Sequence, residues 1–292
     1  MFIATLIAEG LSSGQLDTAA DRLVAAGCAP GSCRWLDEGV SADLPFAAQP
    51  DAARAALEGA FPGVDVIVQV EAHRTKRLLV ADMDSTMITV ECIDELADYA
   101  GIKPQIAEVT ERAMRGELDF ASALDARVAL LKGLPESAID RCLEERVRLM
   151  PGAEVLVQTM RARGAHTILV SGGFTRFAEP VGTRIGFDRR IANVLEIEDG
   201  KLTGTVTRPI VDSGTKETTL LGAMAELGLA PEQTMAVGDG ANDLAMIRKA
   251  GLGVAYHAKP IVAAAAGARI DHGDLTALLY AQGIARADWV TG

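Results

Sequence analysis

A short apolar run at residues 78–80 is followed closely by two acids, Asp82 and Asp84, and then by Ser85 and Thr86. Leucine, leucine and valine in succession are typical of a strand that is buried on both faces. Ligands of an open parallel sheet bind at the carboxyl ends of its strands, so paired acids there indicate a hard cation and an anionic substrate. Taken alone, the pattern fits equally well an N-cap aspartate followed by a solvated loop.

Three later stretches favour the first interpretation. They are Ser-Gly-Gly at 171–173 after a second apolar strand, Lys216 at the start of a predicted helix, and GDGAND at 238–243 after a third strand. Because these loops leave the carboxyl ends of strands, one crevice can gather all of them.

The composition is that of an ordinary globular protein and argues against nucleic-acid binding. The 292 residues fit one large or two modest domains, and 49% of them are hydrophobic and 23% charged. A net charge of -12 without clustered Lys and Arg is unlike that of a phosphate-backbone binder. A small phosphorylated ligand is still compatible with this charge, because a metal and a few cations can reverse the local field.

The cysteines and the apolar segments bear on the compartment. Cys28, Cys33, Cys92 and Cys142 show neither CxxC spacing nor the density of a disulfide scaffold, and we interpret them as reduced, mostly packing residues. The first ten residues lack the positive region of a signal peptide, and no segment approaches the roughly 20 apolar residues of a membrane span. We therefore expect a soluble cytoplasmic protein.

Residues 1–72 predict a small α+β domain. Strands are predicted at 2–8, 32–36, 44–47 and 64–70, with helices at about 16–24 and 51–60. The resulting order βαββαβ is that of the ferredoxin-like split unit. By this order the domain is similar to ACT-type amino-acid-sensing modules, while a domain used only for dimerisation or packing fits equally well.

Residues 73–292 predict an α/β domain with a doubly wound parallel sheet. Between about 91 and 150 the chain is largely helical, which indicates a cap inserted after the first strand. Strands and helices then alternate; strands are predicted at 166–170, 233–237 and 253–256, and helices at 153–163, 216–227 and 275–282. Asp199 and Gly200 predict a hairpin turn.

The four motifs, in this order, resemble those of the haloacid dehalogenase superfamily of phosphohydrolases over about residues 78–272. Three stretches are similar to the members that hydrolyse O-phospho-L-serine: DMDSTMITVECIDELA, RGELDFASALDARVALLKGLP and VGDGANDLAMIRKAGLGVAYHAKP. The resemblance implies a haloacid dehalogenase-like core. It also implies Mg²⁺-dependent hydrolysis of O-phospho-L-serine to L-serine and phosphate, the last step of serine biosynthesis.

The same resemblance implies catalytic and metal-binding roles. Asp82 is the expected nucleophile, giving an aspartyl-phosphate intermediate, and Asp84 the general acid and base. Lys216 is expected to pair with Asp82 and the phosphoryl group. The implied Mg²⁺ ligands are the Asp82 carboxylate, the Asp84 backbone carbonyl and the Asp239 carboxylate. Asp243 is expected to orient a water or Lys216, or else to be a helix first-turn acid.

Substrate contacts are implied in the same way. Ser171, the Gly172 amide and Asn242 are expected to hold the phosphate. Glu91 is expected to bind the substrate ammonium and Arg127 its carboxylate, although a solvated helix charge is the alternative for Arg127.

Two apolar residues complete the expected site. Met114 and Phe120 match lid positions that exclude water, so we expect the cap to close on the substrate with hinges near Glu91 and Met150.

Other functions fit the same residues. One is a phosphotransferase that moves phosphate to homoserine, or a phosphatase of another small phosphomonoester. The other is a non-catalytic amino-acid-binding regulator. A homodimer is compatible with the N-terminal module, but the sequence does not fix the oligomeric state.

Overall fold

A computed structural model describes residues 1–115 and 117–291, except for the side chain of Met114. The described chain contains a four-stranded antiparallel sheet, a six-stranded parallel sheet and a two-stranded hairpin. The strands are β1 (Phe2–Ile7), β2 (Arg34–Asp37), β3 (Ser41–Phe46), β4 (Asp65–Val70), β5 (Leu78–Ala81), β6 (His166–Phe174), β7 (Arg189–Asn193), β8 (Leu195–Glu198), β9 (Lys201–Val206), β10 (Thr234–Gly238), β11 (Leu252–Tyr256) and β12 (Ala268–Ile270). The helices are α1 (Ser13–Ala25), α2 (Pro50–Leu57), α3 (Cys92–Tyr99), α4 (Lys103–Met114), α5 (Phe120–Ala129), α6 (Ser137–Arg146), α7 (Ala153–Ala162), α8 (Thr175–Ile185), α9 (Ser213–Leu227), α10 (Leu244–Lys249), α11 (Pro260–Ala265) and α12 (Ala277–Ala281).

The N-terminal sheet has the order β2-β3-β1-β4, and all its neighbouring strands are antiparallel. Leu16, Ala19 and Leu23 of α1 are buried, at the helical spacing that predicts this helix. The order βαββαβ confirms the ferredoxin-like prediction for the secondary structure. The ACT-like assignment of this domain stays a prediction.

The six-stranded sheet has the order β12-β11-β10-β5-β6-β7, and all neighbouring strands are parallel. Strand β5 lies near its centre and is fully buried, as expected for a strand covered on both faces. The chain adds β6 and β7 on one side of β5 and later β10, β11 and β12 on the other, so the strand order reverses beside β5. This reversal confirms the doubly wound sheet and places a crevice at the carboxyl end of β5.

Helices α3 to α6 form a helical insertion between β5 and α7, as predicted. The two ends of the insertion are held together, because Ile88 pairs with Leu149 in an isolated antiparallel bridge. Beside this bridge, the Thr89 amide donates to the Arg148 carbonyl at 3.0 Å. The insertion therefore begins and ends at one point above the parallel sheet.

Strands β8 and β9 form the predicted hairpin, which turns at Asp199 and Gly200. Both turn residues have a positive φ, 50° and 71°, as the tight turns of two-residue hairpins require. The hairpin packs against α5 of the cap, where Gly204 allows close approach. A Cβ at this position would lie 3.0 Å from the Lys132 Cβ.

Strand β6 ends later than predicted. It was expected to end at Val170, but its pairing with β7 shifts register there and resumes between Phe174 and Asn193, so the strand runs on to Phe174. Two strands were not predicted at all. Strand β7 begins with Arg189 and Arg190 rather than an apolar run, and β12 has only three residues.

Other predicted elements are confirmed with shifted ends. Strand β3 begins at Ser41 rather than 44, and α2 ends at Leu57 because Glu58 has an extended backbone. Helix α9 begins three residues before Lys216, and α12 is shorter than the predicted 275–282. Within the described ranges, no helix combines the length and apolar character needed to cross a membrane.

A buried ion pair joins the N-terminal sheet to the end of the chain. The Arg74 guanidinium donates to both carboxylate oxygens of Asp43, at 2.6 and 3.0 Å, and to the carbonyls of Tyr280 and Ala281. Such a bidentate pair is geometrically specific. It fixes the N-terminal sheet against α12.

Candidate active site

Asp82 and Lys216 form an ion pair at the centre of the crevice. Asp82 follows β5 directly, and its amide donates to the Val237 carbonyl of β10 at 3.0 Å. The Lys216 ammonium, which is fully buried, lies 2.7 Å from Oδ1 of Asp82. The predicted pairing of these residues is therefore present.

Asp243 holds the same lysine from the other side. Its Oδ1 accepts a hydrogen bond from Lys216 Nζ at 2.7 Å, and its Oδ2 accepts one from the Gly240 amide at 3.0 Å. Burial alone would lower the pKa of Lys216, but the carboxylates of Asp82 and Asp243 outweigh it and raise that pKa above its usual value. Lys216 is thus a permanent buried cation, as the predicted contact with Asp243 implies.

Asp84 has the properties of a proton donor. It keeps a small accessible surface toward the crevice although protein surrounds it, and its Oδ1 lies 3.4 Å from the Cys92 amide. Burial, then the negative charges of Glu91 and Asp82, raise the pKa of Asp84 to about 8. The raised pKa favours the protonated carboxyl group that a proton donor requires.

Three carboxylates form a group that could hold a metal ion. Oxygen atoms of Asp82, Asp239 and Asp243 lie within 4.8 Å of one another. Burial, with the charge of Asp82 next, raises the pKa of Asp239 to about 6 and that of Asp243 to about 7. This crowding of negative charge and hard oxygen ligands fits a divalent cation. The predicted ligands Asp82 and Asp239 both belong to the group, and Asp243 joins them.

The Ser-Gly-Gly stretch lies at the far end of β6, beside these acids. Ser171 is buried, and its Oγ accepts a hydrogen bond from the Gly173 amide at 2.9 Å. A Cβ on Gly172 would lie 3.2 Å from the Phe120 ring, and one on Gly173 would lie 3.0 Å from the Asp84 carboxylate. Glycine at these positions therefore lets the backbone approach both the cap and the acid closely.

A cavity of about 520 Å³ lies between these groups and the cap. The site residues on its wall include most of the predicted ones: Asp82, Asp84, Glu91, Phe120, Arg127, Ser171, Gly172, Asp239 and Asn242. Lys216 is buried behind Asp82. The side chain of Met114, a predicted lid residue, is not among those that the structure describes.

Glu91 and Arg127 face the cavity from the cap side. Glu91 accepts a hydrogen bond from the Ser85 hydroxyl at 2.7 Å, and burial raises its pKa. Arg127 donates to the Ala123 carbonyl of its own helix at 3.2 Å and forms no ion pair with any residue that the structure describes. The guanidinium is therefore available to an anionic group in the cavity.

The residues at the site that the sequence did not indicate include Lys259 and Asn193. Lys259 lines the cavity, and its amide donates to the Asp239 carbonyl at 3.3 Å. It belongs to AYHAKP, the end of one of the three stretches that carry the family resemblance, but the resemblance indicated no role for this lysine. Asn193 is buried behind Gly172 and donates to its carbonyl at 2.8 Å. No motif marks it.

Comparison with known proteins gives a family match and close relatives. The family of haloacid dehalogenase-like hydrolases matches residues 79–248. The phosphoserine phosphatase of Albidiferax ferrireducens is 49% identical over 208 residues, which are 70% of this chain and 88% of that protein. The phosphoserine phosphatase of Streptomyces coelicolor is 47% identical over 235 residues, 80% of this chain. The chain spans only 57% of the length of this second relative.

A solved structure is similar over nearly the whole chain. It is a hydrolase of the same broad family from Salmonella enterica serovar Typhi, with a TM-score of 0.85 and 30% sequence identity. The match covers 96% of this chain and 98% of that one, so it includes both the N-terminal sheet and the cap.

Proposed function

Because the chain belongs to the haloacid dehalogenase-like hydrolases, we propose that it is a Mg²⁺-dependent phosphatase that converts O-phospho-L-serine and water to L-serine and phosphate. One observation carries the proposal: the same cavity is lined by Asp82, whose carboxylate is paired with the buried Lys216, and by Glu91 and Arg127 of the cap. The relatives named phosphoserine phosphatase support the choice of substrate.

The chemistry takes two steps at Asp82. In the first, a carboxylate oxygen of Asp82 attacks the phosphorus, the bond from phosphorus to the serine oxygen breaks, and Asp84 gives its proton to that oxygen. In the second, a water attacks the aspartyl phosphate, Asp84 takes a proton from the water, and phosphate leaves Asp82 free. The pKa of Asp84, raised to about 8, suits the first transfer.

The positive charge of Lys216 helps the first step by reducing the repulsion between the nucleophile and the phosphate. A carboxylate and a phosphate monoester repel each other, and a buried ammonium 2.7 Å from the attacking group reduces that repulsion. Asp243 keeps the ammonium in place. Ser171, the Gly172 amide and Asn242 would hold the other phosphate oxygens.

Mg²⁺ is the metal that we propose for the acidic group. Mg²⁺ prefers oxygen ligands and keeps several waters, so few protein ligands suffice. Asp82, Asp239 and the backbone carbonyl of Asp84 would hold it, while Asp243 is engaged by Lys216. When bound, it would supply positive charge that stabilises the transferring phosphoryl oxygens.

The amino-acid end of the substrate determines the specificity. Phosphoserine carries an ammonium and a carboxylate beyond its phosphate, so it needs one acid and one base from the cap. Glu91 would accept from the ammonium, and Arg127, which has no ion pair among the described residues, would bind the carboxylate with two hydrogen bonds. Phe120, which rests on Gly172, would help to exclude water.

A substrate panel tests this function. The measurement is kcat/KM for O-phospho-L-serine, O-phospho-L-threonine, glycerol phosphate and p-nitrophenyl phosphate, with Mg²⁺ and again with EDTA. We expect phosphoserine to be strongly preferred and all turnover to stop with EDTA. A flat profile would overturn the substrate, and phosphohomoserine formed in the presence of homoserine would favour the phosphotransferase instead.

We also propose two domains, an ACT-like domain at 1–72 and a phosphatase domain at 73–292 with a cap at about 91–150. The ferredoxin-like strand order supports the first, and the antiparallel bridge at the base of the insertion supports the cap. A homodimer and a cytoplasmic location stay predictions, to be tested by light scattering and by cell fractionation.

A further inference from the structure

Asn193 is a buried residue that the proposed chemistry does not use. It ends β7 and is 1% exposed. It lies behind the Ser-Gly-Gly stretch at 171–173, which would bind the phosphate and is called the phosphate-binding stretch below, and it is not part of the cavity wall. Its Nδ2 donates to the carbonyls of Gly172, at 2.8 Å, and Val211, at 3.2 Å, and its Oδ1 accepts from the Val211 amide at 2.7 Å. If the side-chain amide of Asn193 were turned by 180°, its oxygen would face the two carbonyl oxygens. The hydrogen bonds therefore fix the orientation of this amide.

Both partners of Asn193 lead directly to groups that would touch the phosphoryl group. Gly172 is itself one of them. Val211 precedes Asp212, whose carboxylate caps α9 by accepting from the Thr215 amide at 2.8 Å, and Lys216 follows in the same helix. A single side chain thus sets the distance between the Gly172 backbone and the start of the helix that carries Lys216.

Asn193 and Val211 also bracket the hairpin β8–β9, which supports the cap. At the base of the hairpin, the Thr207 amide donates to the Val194 carbonyl at 2.9 Å. At its far end, the Gly133 amide donates to the Leu202 carbonyl at 2.8 Å. Asn193 therefore lies where the phosphate-binding stretch, helix α9 and the support of the cap meet.

We propose that Asn193 is a positioning residue that holds Gly172 in register with Lys216 for phosphate binding. The inference rests on the proposed function for the identity of the phosphate site, not for the choice of phosphoserine. Because Asn193 acts at the phosphate end, its loss should weaken every phosphate ligand alike. The preference for phosphoserine, set by Glu91 and Arg127, should not change.

The test compares Asn193→Asp with the wild type in the full chain with Mg²⁺. Aspartate keeps the oxygen that accepts from Val211 but replaces the donor with a second oxygen, which faces the Gly172 and Val211 carbonyls. We expect the inhibition constant for inorganic phosphate to rise about ten- to a hundredfold, the effect of losing one hydrogen bond from the Gly172 amide to a charged ligand. The kcat/KM values for O-phospho-L-serine and p-nitrophenyl phosphate should fall by the same factor.

Three further variants separate this role from a general structural one. Asn193→Ser removes the side-chain amide without adding charge. The inhibition constant for phosphate can be measured on this variant if the aspartate variant does not fold. Thr203→Val alters an exposed hydrogen bond of the same hairpin and should change nothing. Gly204→Ala adds a Cβ 3.0 Å from the Lys132 Cβ at a φ of 88°, so it strains the hairpin where it meets the cap and should affect phosphoserine but not inorganic phosphate.

Two outcomes would overturn the inference. One is an unchanged inhibition constant for phosphate in both Asn193 variants. The other is a loss for phosphoserine alone, equal to that of Gly204→Ala, which would place the role of Asn193 at the cap. If the wild type binds phosphate and cleaves p-nitrophenyl phosphate but ignores phosphoserine, only the proposed substrate fails, and the phosphate measurement still decides the role of Asn193.

Discussion

The ammonium of Lys216 lies 2.7 Å from a carboxylate oxygen of Asp82, and both side chains are almost inaccessible to solvent. A second carboxylate, that of Asp243, lies equally close to the same ammonium. One cation between two acids does not balance the carboxyl groups of the site, because Asp239 lies within reach of the same two acids. The carboxylate that we propose as the nucleophile therefore has its own counter-ion, and neighbouring carboxyl groups are available to a divalent cation.

Lys216→Met keeps the length of the side chain and removes its charge. We expect kcat/KM for O-phospho-L-serine to fall by about 10²–10³, the usual effect of losing one group that stabilises developing charge. Stability at pH 8 should fall by about 3–5 kcal/mol, because two buried carboxylates lose their partner. Denaturant unfolding and phosphate release measure both effects. Lys249→Met, at an exposed ion pair, is the control, and equal losses in the two variants would contradict the assigned role.

Glu91→Gln and Arg127→Met test the amino-acid end of the cavity. Each should lower kcat/KM for O-phospho-L-serine by at least about tenfold, the size of one charge-assisted hydrogen bond. The values for p-nitrophenyl phosphate should stay within about twofold, because that substrate has neither an ammonium nor a carboxylate. Equal losses on both substrates would mean that these residues shape the site without contacting the amino acid.

Gly238→Ala tests the contact between Asp243 and Lys216 from the backbone side. A Cβ on Gly238 would lie 2.3 Å from the Asp243 carboxyl carbon, so Asp243 must move away. We expect most of the phosphatase activity to be lost. The remaining activity should keep its preference for O-phospho-L-serine over p-nitrophenyl phosphate. Gly222→Ala, in α9 with no atom within 4 Å of the added Cβ, is the matched control and should stabilise the helix by about 0.5–1 kcal/mol. Full activity in Gly238→Ala would show that the Asp243 contact is dispensable.

The acidic group predicts how stability depends on pH and metal. In the metal-free protein the pKa values of Asp84, Asp243 and Asp239 are raised to about 8, 7 and 6, mainly by burial, from an ordinary 3.8. The folded protein then binds more protons than the unfolded chain across this range, so the free energy of unfolding falls as pH rises from 6 to 8. A cation bound by Asp82 and Asp239 competes with the proton on Asp239, and this competition weakens as pH rises through the pKa of Asp239, about 6. Mg²⁺ should therefore raise Tm more at pH 8 than at pH 6.

Thermal unfolding at both pH values, with EDTA or with MgCl₂, measures this effect. Asp84→Asn removes the group with the highest pKa and should flatten the dependence in EDTA. A Tm in EDTA that rises from pH 6 to pH 8, with the same Mg²⁺ effect at both, would contradict the charge arrangement.

The sequence predicted that Asp82, Asp239 and the Ser-Gly-Gly stretch would meet at one crevice, for a physical reason. Asp82 and Asp239 each follow an apolar strand, the Ser-Gly-Gly stretch lies in the last part of β6, and parallel strands end at one edge of a sheet. Their meeting place follows from local pattern and topology alone. Lys216 could be added because its motif stands in the expected order.

The missed features depend on contacts between distant segments. Asn193 is engaged by Gly172 and Val211, 21 and 18 residues away, and an asparagine at the end of a strand carries no distinguishing pattern. Strand β6 was cut short at Val170 because Ser-Gly-Gly is typical of a turn, whereas its tertiary pairing resumes at Phe174. The orientation of Arg127 toward the cavity likewise depends on how the cap packs, which helical spacing does not reveal.

The most direct test of the central claim is phosphate release from O-phospho-L-serine with Mg²⁺, measured on the wild type and on Asp82→Asn. The asparagine keeps the shape of the side chain and removes the attacking carboxylate, and the two-step path has no other nucleophile. The account predicts rapid release by the wild type and none above background by the variant. Turnover by Asp82→Asn at a rate near that of the wild type would contradict it.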